Sequence, residues 1–381
     1  ELKEMPNVKV KNRSQVFGYY DHNMLVMSER VTDHLPKSEK YSPKQRLWYI
    51  RAKEVIISSG SIERPIVFGN NDTPGVVLAS AAKEYLKVYG VLVGKKPLIF
   101  TNNDSAYETA IEFKKNGIWP VVIDSRVNPD SEIINEAKNM GMEIKFSYVV
   151  IASKGYKKVQ SAEIAKISAD KKDLGKIENI SCDCICVSGF WTPTIHLSSQ
   201  SGNKTKFNEK IDAFIPGKSK QNESTLGSAN GVFNLEDTLK TSFEEGFKIS
   251  KKITNNNNKI SVPQVSEKKH TVHDKFWCVP LPQGKKYKRF LDFQNDVTVT
   301  DVELALREGY RSIEHVKRYT TLGMATDQGK TSNLNGLQLV SSLENKIVPS
   351  VGHTTFRPPY TPITIGAIVG REIGKHSKPT R

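Results

Sequence analysis

PLIFTNNDSAYETAIEFKKNGIWPVVIDS, residues 97–125, decides the fold. PLIFTN is a short apolar run that ends in polar residues. Residues 105–116 continue with helical spacing, Ser105 and Glu108 standing as in a capping box. VVIDS is a second apolar run, a further helix is expected after Pro129, and MEIKFSYVV (142–150) reads as one more strand. Strands alternating with helices imply a parallel sheet joined by right-handed crossovers. The turn after the first strand is TNNDSA, Thr101 to Ala106, where a dinucleotide-binding turn needs G-x-G-x-x-G. None of the three glycines is present. Asp104 falls at the helix N-terminus, where its charge repels a pyrophosphate. Asp124 ends the second strand like a ribose reader, yet this unit is expected to bind no dinucleotide.

On the N-terminal side, residues 8–60 read as short strands, with alternation in RLWYIRAKEVII (46–57). The last runs into Ser58-Ser59-Gly60-Ser61, where a small residue and a glycine let the backbone approach a ligand. On the C-terminal side, CDCICVSG (182–189) reads as the long buried strand of the first unit. Cys182, Cys184 and Cys186 alternate, and side chains on one strand face are about 7 Å apart. That is too wide for easy shared ligation of a metal, so these three and Cys278 are expected to be core thiols of a reducing, cytoplasmic protein. SFEEGFKISKKI is a helix that runs into an Asn-rich linker. From FWCVPLP at 276 a third unit begins. Thr300 and Glu303 are spaced as a capping box for DVELALREG, and Gly309 fits its C-cap. Helices are also expected from Ser312 to Tyr319 and after Ser332. The last thirty residues are Pro-rich, end in a basic GREIGKHSKPTR, and read as the run-up to a further domain.

The chain has 381 residues, 37% hydrophobic and 25% charged, enough for two or three compact units. No apolar run has the length of a membrane span, and the opening ELKEMPNVKVK is no signal peptide. An opening on Glu suggests a piece of a longer chain. The formal charge is +15, but the lysines are spread along the chain and travel with Asn and Ile, as in NNNNKI. That pattern favours compositional bias over nucleic-acid binding, while a basic surface suits docking onto an acidic partner subunit.

Four strings carry a resemblance: ERPIVFGNNDTPGV (63–76), NNDSAYE (102–108), RYTTLGMATDQGKTS (318–332) and TTFRPPYTP (354–362). In this order they resemble the alpha subunits of heterotetrameric sarcosine oxidases, and the resemblance covers nearly the whole chain. It implies an α/β protein: a partial glutathione-reductase-like FAD/NAD(P)-binding fold, an inserted nucleotide-type βαβ domain, and a small helical domain. The implied units are a partial NAD-binding domain (1–95), the insertion (96–160), the return to the first domain (161–262), the helical domain (263–345) and an extended tail (346–381). The Gly-rich turn of the first domain and a folate-binding aminomethyltransferase domain would lie outside this chain.

The resemblance also implies the ligands. NAD would lie along Val16, the Ser59-Gly60 turn and the closing segment Ser228, Ala229 and Asn230, with Val16 acting through its backbone; the chain would hold half of that site. FMN would lie at the interface with a beta subunit that holds it covalently. Its phosphate would be the guest of Arg318, Thr320, Lys330, Thr331 and Ser332. FAD belongs to the beta subunit and tetrahydrofolate to the C-terminal domain. Beta, gamma and delta subunits are the implied partners, with neither nucleic acid nor membrane. The implied reaction is oxidative demethylation of sarcosine to glycine, giving formaldehyde or methylene-tetrahydrofolate and hydrogen peroxide. This chain supplies scaffold and cofactor wall, has no catalytic residue or metal of its own, and would be inactive alone. The rival readings are the alpha subunit of a related amine or opine dehydrogenase, and a cofactor-free assembly module.

Three further motifs have plainer readings. The helical unit resembles the [2Fe–2S] domain of amine and opine dehydrogenases. Matching Val297-Thr298 and Gln328-Gly329 puts Asp292, Gln294, Asp327 and Ser332 at the four cysteine positions. A cluster needs thiolates, so none is expected. GKTS (329–332) is no P-loop, because five residues rather than four separate Gly323 from Gly329. His196, His315 and Glu314 stand with no nucleophile or metal partner and read as structural.

Overall fold

In a computed structural model the described residues are 2–37, 41–254, 261–265, 273–354 and 356–370. The Asn-rich run at 255–260 and most of the basic C-terminal tail lie outside them.

The chain opens with an antiparallel three-stranded sheet of β1 (Ser14–Tyr20), β2 (Met24–Arg30) and β3 (Gln45–Arg51). Next come β4 (Val55–Ile57), β5 (Ser61–Glu63), β6 (Val76–Leu78) and α1 (Ala79–Tyr89). The alternating unit follows as predicted: β7 (Pro97–Thr101), α2 (Ser105–Lys115), β8 (Val121–Asp124), α3 (Glu132–Asn139) and β9 (Glu143–Phe146). The expected capping box at Ser105 does not form. Asn103 Oδ1 instead accepts from the amide and hydroxyl of Ser105, and Glu108 pairs with Lys83. MEIKFSYVV is not one strand. Ser147 takes φ +57°, and the chain leaves the parallel sheet to begin β10 (Tyr148–Lys154) of an antiparallel sheet with β11 (Ser161–Ile167) and β12 (Leu174–Ser181).

β13 (Cys184–Ser188) corrects a second expectation. It pairs in parallel with β6 on one side and β7 on the other, giving a sheet of order β6-β13-β7-β8-β9. The buried strand of CDCIC therefore belongs to the same sheet as residues 97–125. Its five residues are all buried, which suits a central parallel strand covered on both faces. Leu98, Phe100, Ile123, Ile185 and Val187 pack on one face; Ile99, Val122, Cys184 and Cys186 pack on the other, under α1, α2 and α3.

β14 (Trp191–Pro193) pairs with β5, and α4 (His196–Gln200) follows. The hairpin β15 (Thr205–Asn208) and β16 (Ala213–Pro216) precedes β17 (Glu223–Thr225), which lies parallel to β4. A short 3-10 turn, Gly227–Asn230, leads to α5 (Leu235–Thr254).

The chain then crosses back: Val67 and Cys278 form a parallel bridge. β18 (Phe290–Asp292) and β19 (Val297–Thr298) introduce α6 (Val299–Arg307), α7 (Ile313–Thr320), α8 (Asn333–Leu343), α9 (Val348–Val351) and α10 (Ile365–Val369). The capping box of α6 is made by Thr298 and Asp301, two residues before the expected pair. Val299 joins the core, so the helix starts earlier than the polar pattern suggested. Gly309 lies just past that helix at φ +93°, its amide bonded to Leu306 O.

Candidate functional site: a crevice at the strand ends and a strapped helix turn

β13 is inserted between β6 and β7, and ligands of open α/β sheets bind outside the carboxyl ends of strands. Here that crevice is built from TNNDSA and from Gly189-Phe190-Trp191. Asn103 Nδ2 donates to Ser188 O and Oγ, and Asn102 Nδ2 donates to Asp274 O and Phe276 O. Asn103, at the place of the second turn glycine, and its neighbour Asn102 therefore tie the turn after β7 to the end of β13 and to Asp274 and Phe276.

The acids of the crevice are engaged from within. Arg126 Nη1 lies 2.7 Å from Asp104 and Nη2 lies 2.8 Å from Asp124, which also accepts from Tyr107 Oη at 2.8 Å. Asp124 is fully buried and so is committed, not offered to a ribose. At the start of α1, Glu63 accepts from Ser80 N at 2.8 Å and Ser80 Oγ at 2.7 Å. Glu63 is 3% exposed, and burial raises its carboxyl above the ordinary range. Two helix N-termini at the crevice thus carry the protein's own carboxylates.

A cavity of about 590 Å³ opens here, lined by Glu63, Ser228, Phe190, Trp191, Phe233 and His273 among others. His273 stacks on Phe190 with centroids 4.1 Å apart, and burial lowers its pKa to about 4. Its Nε2 has no partner among the described residues. Sequence reasoning passed over Glu63, Phe190 and His273. The ends of both strands were readable, but their adjacency was not.

The first set of expected ligand residues comes together in part. Pairing of β4 with β17 sets the Ser59-Gly60 turn beside the 3-10 turn. Gly60 takes φ +76°, and a Cβ there would meet nothing closer than Ser228 Oγ, 4.0 Å away. Ser59 Oγ donates to Thr194 O at 2.9 Å. Val16 packs with Val55 and Ile57 of β4. Ala229 is buried, and Asn230 is exposed at the end of the turn.

The second set is more dispersed. Arg318 lies on α7, 3.5 Å from Glu314, and Thr320 Oγ1 donates to Val316 O at 2.8 Å. Lys330 Nζ donates to Tyr360 O at 3.0 Å. Lys330 lines a small cavity with His196 and His353, whereas Thr331 lines a separate one with Asn71, Asp72 and Phe293. Ser332 is the N-cap of α8; its Oγ is buried with no partner among the described residues. His196 is buried against Phe356 and Tyr360, and neither ring nitrogen has a hydrogen-bond partner among the described residues. Burial and nearby Lys330 lower its pKa to about 3. At the four cluster-cysteine positions, Asp292 Oδ1 accepts from the amides of Gln294 and Asn295, and its Oδ2 accepts from Gly323 N at 2.7 Å. Asp327 Oδ1 accepts from Gly329 N. These carboxylates hold the loops together directly.

Residues 286–371 match the family model described as the sarcosine oxidase A3 domain. Sarcosine oxidase subunit alpha of Rhizobium meliloti (strain 1021) is 37% identical over 383 residues, covering 100% of this chain and 37% of that relative. The subunit alpha of Corynebacterium sp. (strain P-1) is 34% identical over 377 residues, covering 97% of this chain and 39% of the relative. The chain spans little more than a third of the length of these curated relatives. Among solved structures, L-proline dehydrogenase from P. horikoshii superposes with a TM-score of 0.69 at 20% identity, over 96% of this chain and 66% of that one. This likeness concerns the fold.

Proposed function

We propose that this chain, which spans 37–39% of the length of the sarcosine oxidase alpha subunits it is similar to, is the cofactor-wall segment of such a subunit. In this reading NAD lies along Val16, Ser59, Gly60 and the Ser228–Asn230 turn. FMN lies against a beta subunit, its phosphate at Arg318, Thr320, Lys330, Thr331 and Ser332. FAD belongs to the beta subunit, tetrahydrofolate to a C-terminal folate domain, and gamma and delta subunits complete the oxidase. The assembled enzyme converts sarcosine to glycine, with formaldehyde or methylene-tetrahydrofolate and hydrogen peroxide as the other products.

The observation that carries the reading is the β4–β17 pairing, which leaves open space beside the backbone of Gly60 next to Ser228. A nucleotide can approach that backbone without meeting a side chain. The second set fits less completely. The orphan Ser332 hydroxyl at the start of α8 suits a phosphate oxygen, while Lys330 must exchange the Tyr360 carbonyl for it. When bound, the flavin supplies the electron transfer. In this reading the residues of this chain hold and orient the cofactors.

Two substitutions in the complete alpha subunit, assembled with its partners, separate the sites. Ser228→Asp should lower NAD content and spare FMN; Lys330→Glu should lower FMN content and spare NAD. Cofactors are released by acid and quantified per assembly. Unchanged NAD and FMN in both variants would remove the assignment.

A further inference from the structure

β1 and β2 bring two arginines face to face. Ser14 pairs with Glu29 and Gln15 with Ser28, so the register carried one step further sets Arg13 opposite Arg30, whose amide donates to Arg13 O at 3.0 Å. Like charges directly opposed across an antiparallel pair are unfavourable. Only one of the two is answered. Arg30 Nε donates to Asp33 Oδ2 at 2.9 Å. Arg13 reaches only a carbonyl, Val31 O, at 3.2 Å and has no ion pair among the described residues. Glu29 is adjacent in sequence, but alternation puts it on the other face of the sheet, where Lys11 and Arg46 pair with it.

Both arginines line a cleft of about 440 Å³ between this sheet and the extended segment 361–364. That segment is fixed at either end of the cleft: Tyr360 N donates to Phe17 O at 2.6 Å, and Thr364 Oγ1 donates to Gln45 Oε1. Among the described residues, Arg13 and Arg30 are the only charged side chains in the lining. Gln15 and Ser28 lie directly opposite each other beside them, and neither side chain makes a hydrogen bond among the described residues. Two guanidinium groups, a hydroxyl and an amide that share one cleft without a carboxylate form a donor set suited to an oxyanion. Phe17 and Ile363 give the same cleft an apolar side. None of the residues assigned above to NAD or FMN lines it, and Val16 packs on the opposite face against Val55 and Ile57.

We propose that this cleft binds a phosphate dianion, free or as a phosphate monoester, gripped by Arg13 and Arg30, with Ser28 and Gln15 donating to its remaining oxygens and Phe17 and Ile363 beside the ester group.

Inorganic phosphate and phenyl phosphate are titrated separately into the full chain by calorimetry, at constant ionic strength and about pH 8, where both are largely dianions. Single-site saturable binding is expected. Phenyl phosphate binding as tightly as phosphate or tighter assigns the site to a monoester; weaker binding assigns it to the free anion. Arg13→Gln and Arg30→Gln should each weaken binding about ten-fold or more, the loss of a charge-assisted contact. Arg46→Gln removes the same charge from the opposite face of the sheet and should change affinity less than about two-fold. Circular dichroism verifies that each variant is folded; should Arg13→Gln not fold, the comparison of Arg30→Gln with Arg46→Gln decides. No saturable binding of either probe up to about 10 mM, unchanged affinity in the Arg13→Gln and Arg30→Gln variants, or an equal loss in Arg46→Gln would overturn the proposal.

Discussion

Lys330 Nζ donates to the carbonyl oxygen of Tyr360 at 3.0 Å and lies 4.1 Å from the centroid of that residue's ring. The contact is one stitch of a strap. Gln328 Nε2 donates to Pro359 O, Tyr360 N donates to Phe17 O, and Thr364 Oγ1 donates to Gln45 Oε1. Residues 359–364 thereby tie the start of α8 to the β1–β3 sheet.

Lys330→Met keeps the aliphatic stem and removes the donor. A hydrogen bond from a charged group at a half-buried site is worth about 1–2 kcal/mol. Urea denaturation should show a loss of that order, and limited proteolysis should cut residues 352–364 faster. Equal cleavage rates would show that this stitch does not hold the strap.

Asp292 is 2% exposed and accepts three loop amides. Asp292→Ala orphans all three and should cost about 3 kcal/mol or more. Asp292→Asn keeps acceptor capacity on one oxygen and should cost less. Chemical denaturation of the two variants ranks them, and equal losses would contradict the stitching role.

Arg126 serves two buried carboxylates, Asp104 and Asp124. Arg126→Met leaves both without their cation and should destabilise the chain by about 3–5 kcal/mol. Adding Asp124→Asn should recover part of that loss, because one uncompensated charge is removed. A double variant no more stable than Arg126→Met would argue against charge as the cause.

His196 has a folded pKa of about 3 against an ordinary value of 6.5, chiefly from burial. Its folded pKa is depressed, so below pH 6.5 the unfolded chain binds a proton that the native chain refuses. Stability therefore falls as pH drops from 6.5 towards 3, by up to about 1.4 kcal/mol per pH unit for this group. His273, lowered to about 4, adds a second slope of the same sign. Between pH 7 and pH 5, His196→Phe should lose about 2 kcal/mol less than the parent in urea unfolding. An identical drop in both would place the acid sensitivity elsewhere.

Gly329 and Gly90 both have positive φ, but their surroundings differ. A Cβ on Gly329 would fall 2.2 Å from Asn333 Oδ1, whereas Gly90 has nothing within 4 Å. Gly90→Ala should cost about 1 kcal/mol, the penalty of the left-handed conformation alone. Gly329→Ala should cost clearly more and shift the start of α8, as thermal unfolding of the pair will show.

Much of the parallel sheet was legible in residues 97–125, because apolar runs and helical spacing report local burial. The helices after Ser312 and Ser332 were legible for the same reason. Capping was read less well. Ser105 and Glu108 had the right spacing, but Lys83, brought from α1, took Glu108 away. Thr300 and Glu303 had it too, but burial of Val299 moved the helix start to Thr298. Ser147 shows the same limit: nothing local announced that MEIKFSYVV would divide between two sheets.

For the candidate sites, the sequence by itself determined which residues are absent. No glycine stands in TNNDSA, and no cysteine stands at 292, 294, 327 or 332. Chemistry that needs a particular residue type can be excluded by reading residue types. Only the tertiary structure decided that β13 lies between β6 and β7, that Glu63 sits on the start of α1, and that His273 faces a cavity with Phe190. It also turned Lys330 towards Tyr360 and set Gly60 against Ser228. Each of these joins residues far apart in the chain, and such pairings are chosen by the packing of whole sheets, which no local pattern encodes.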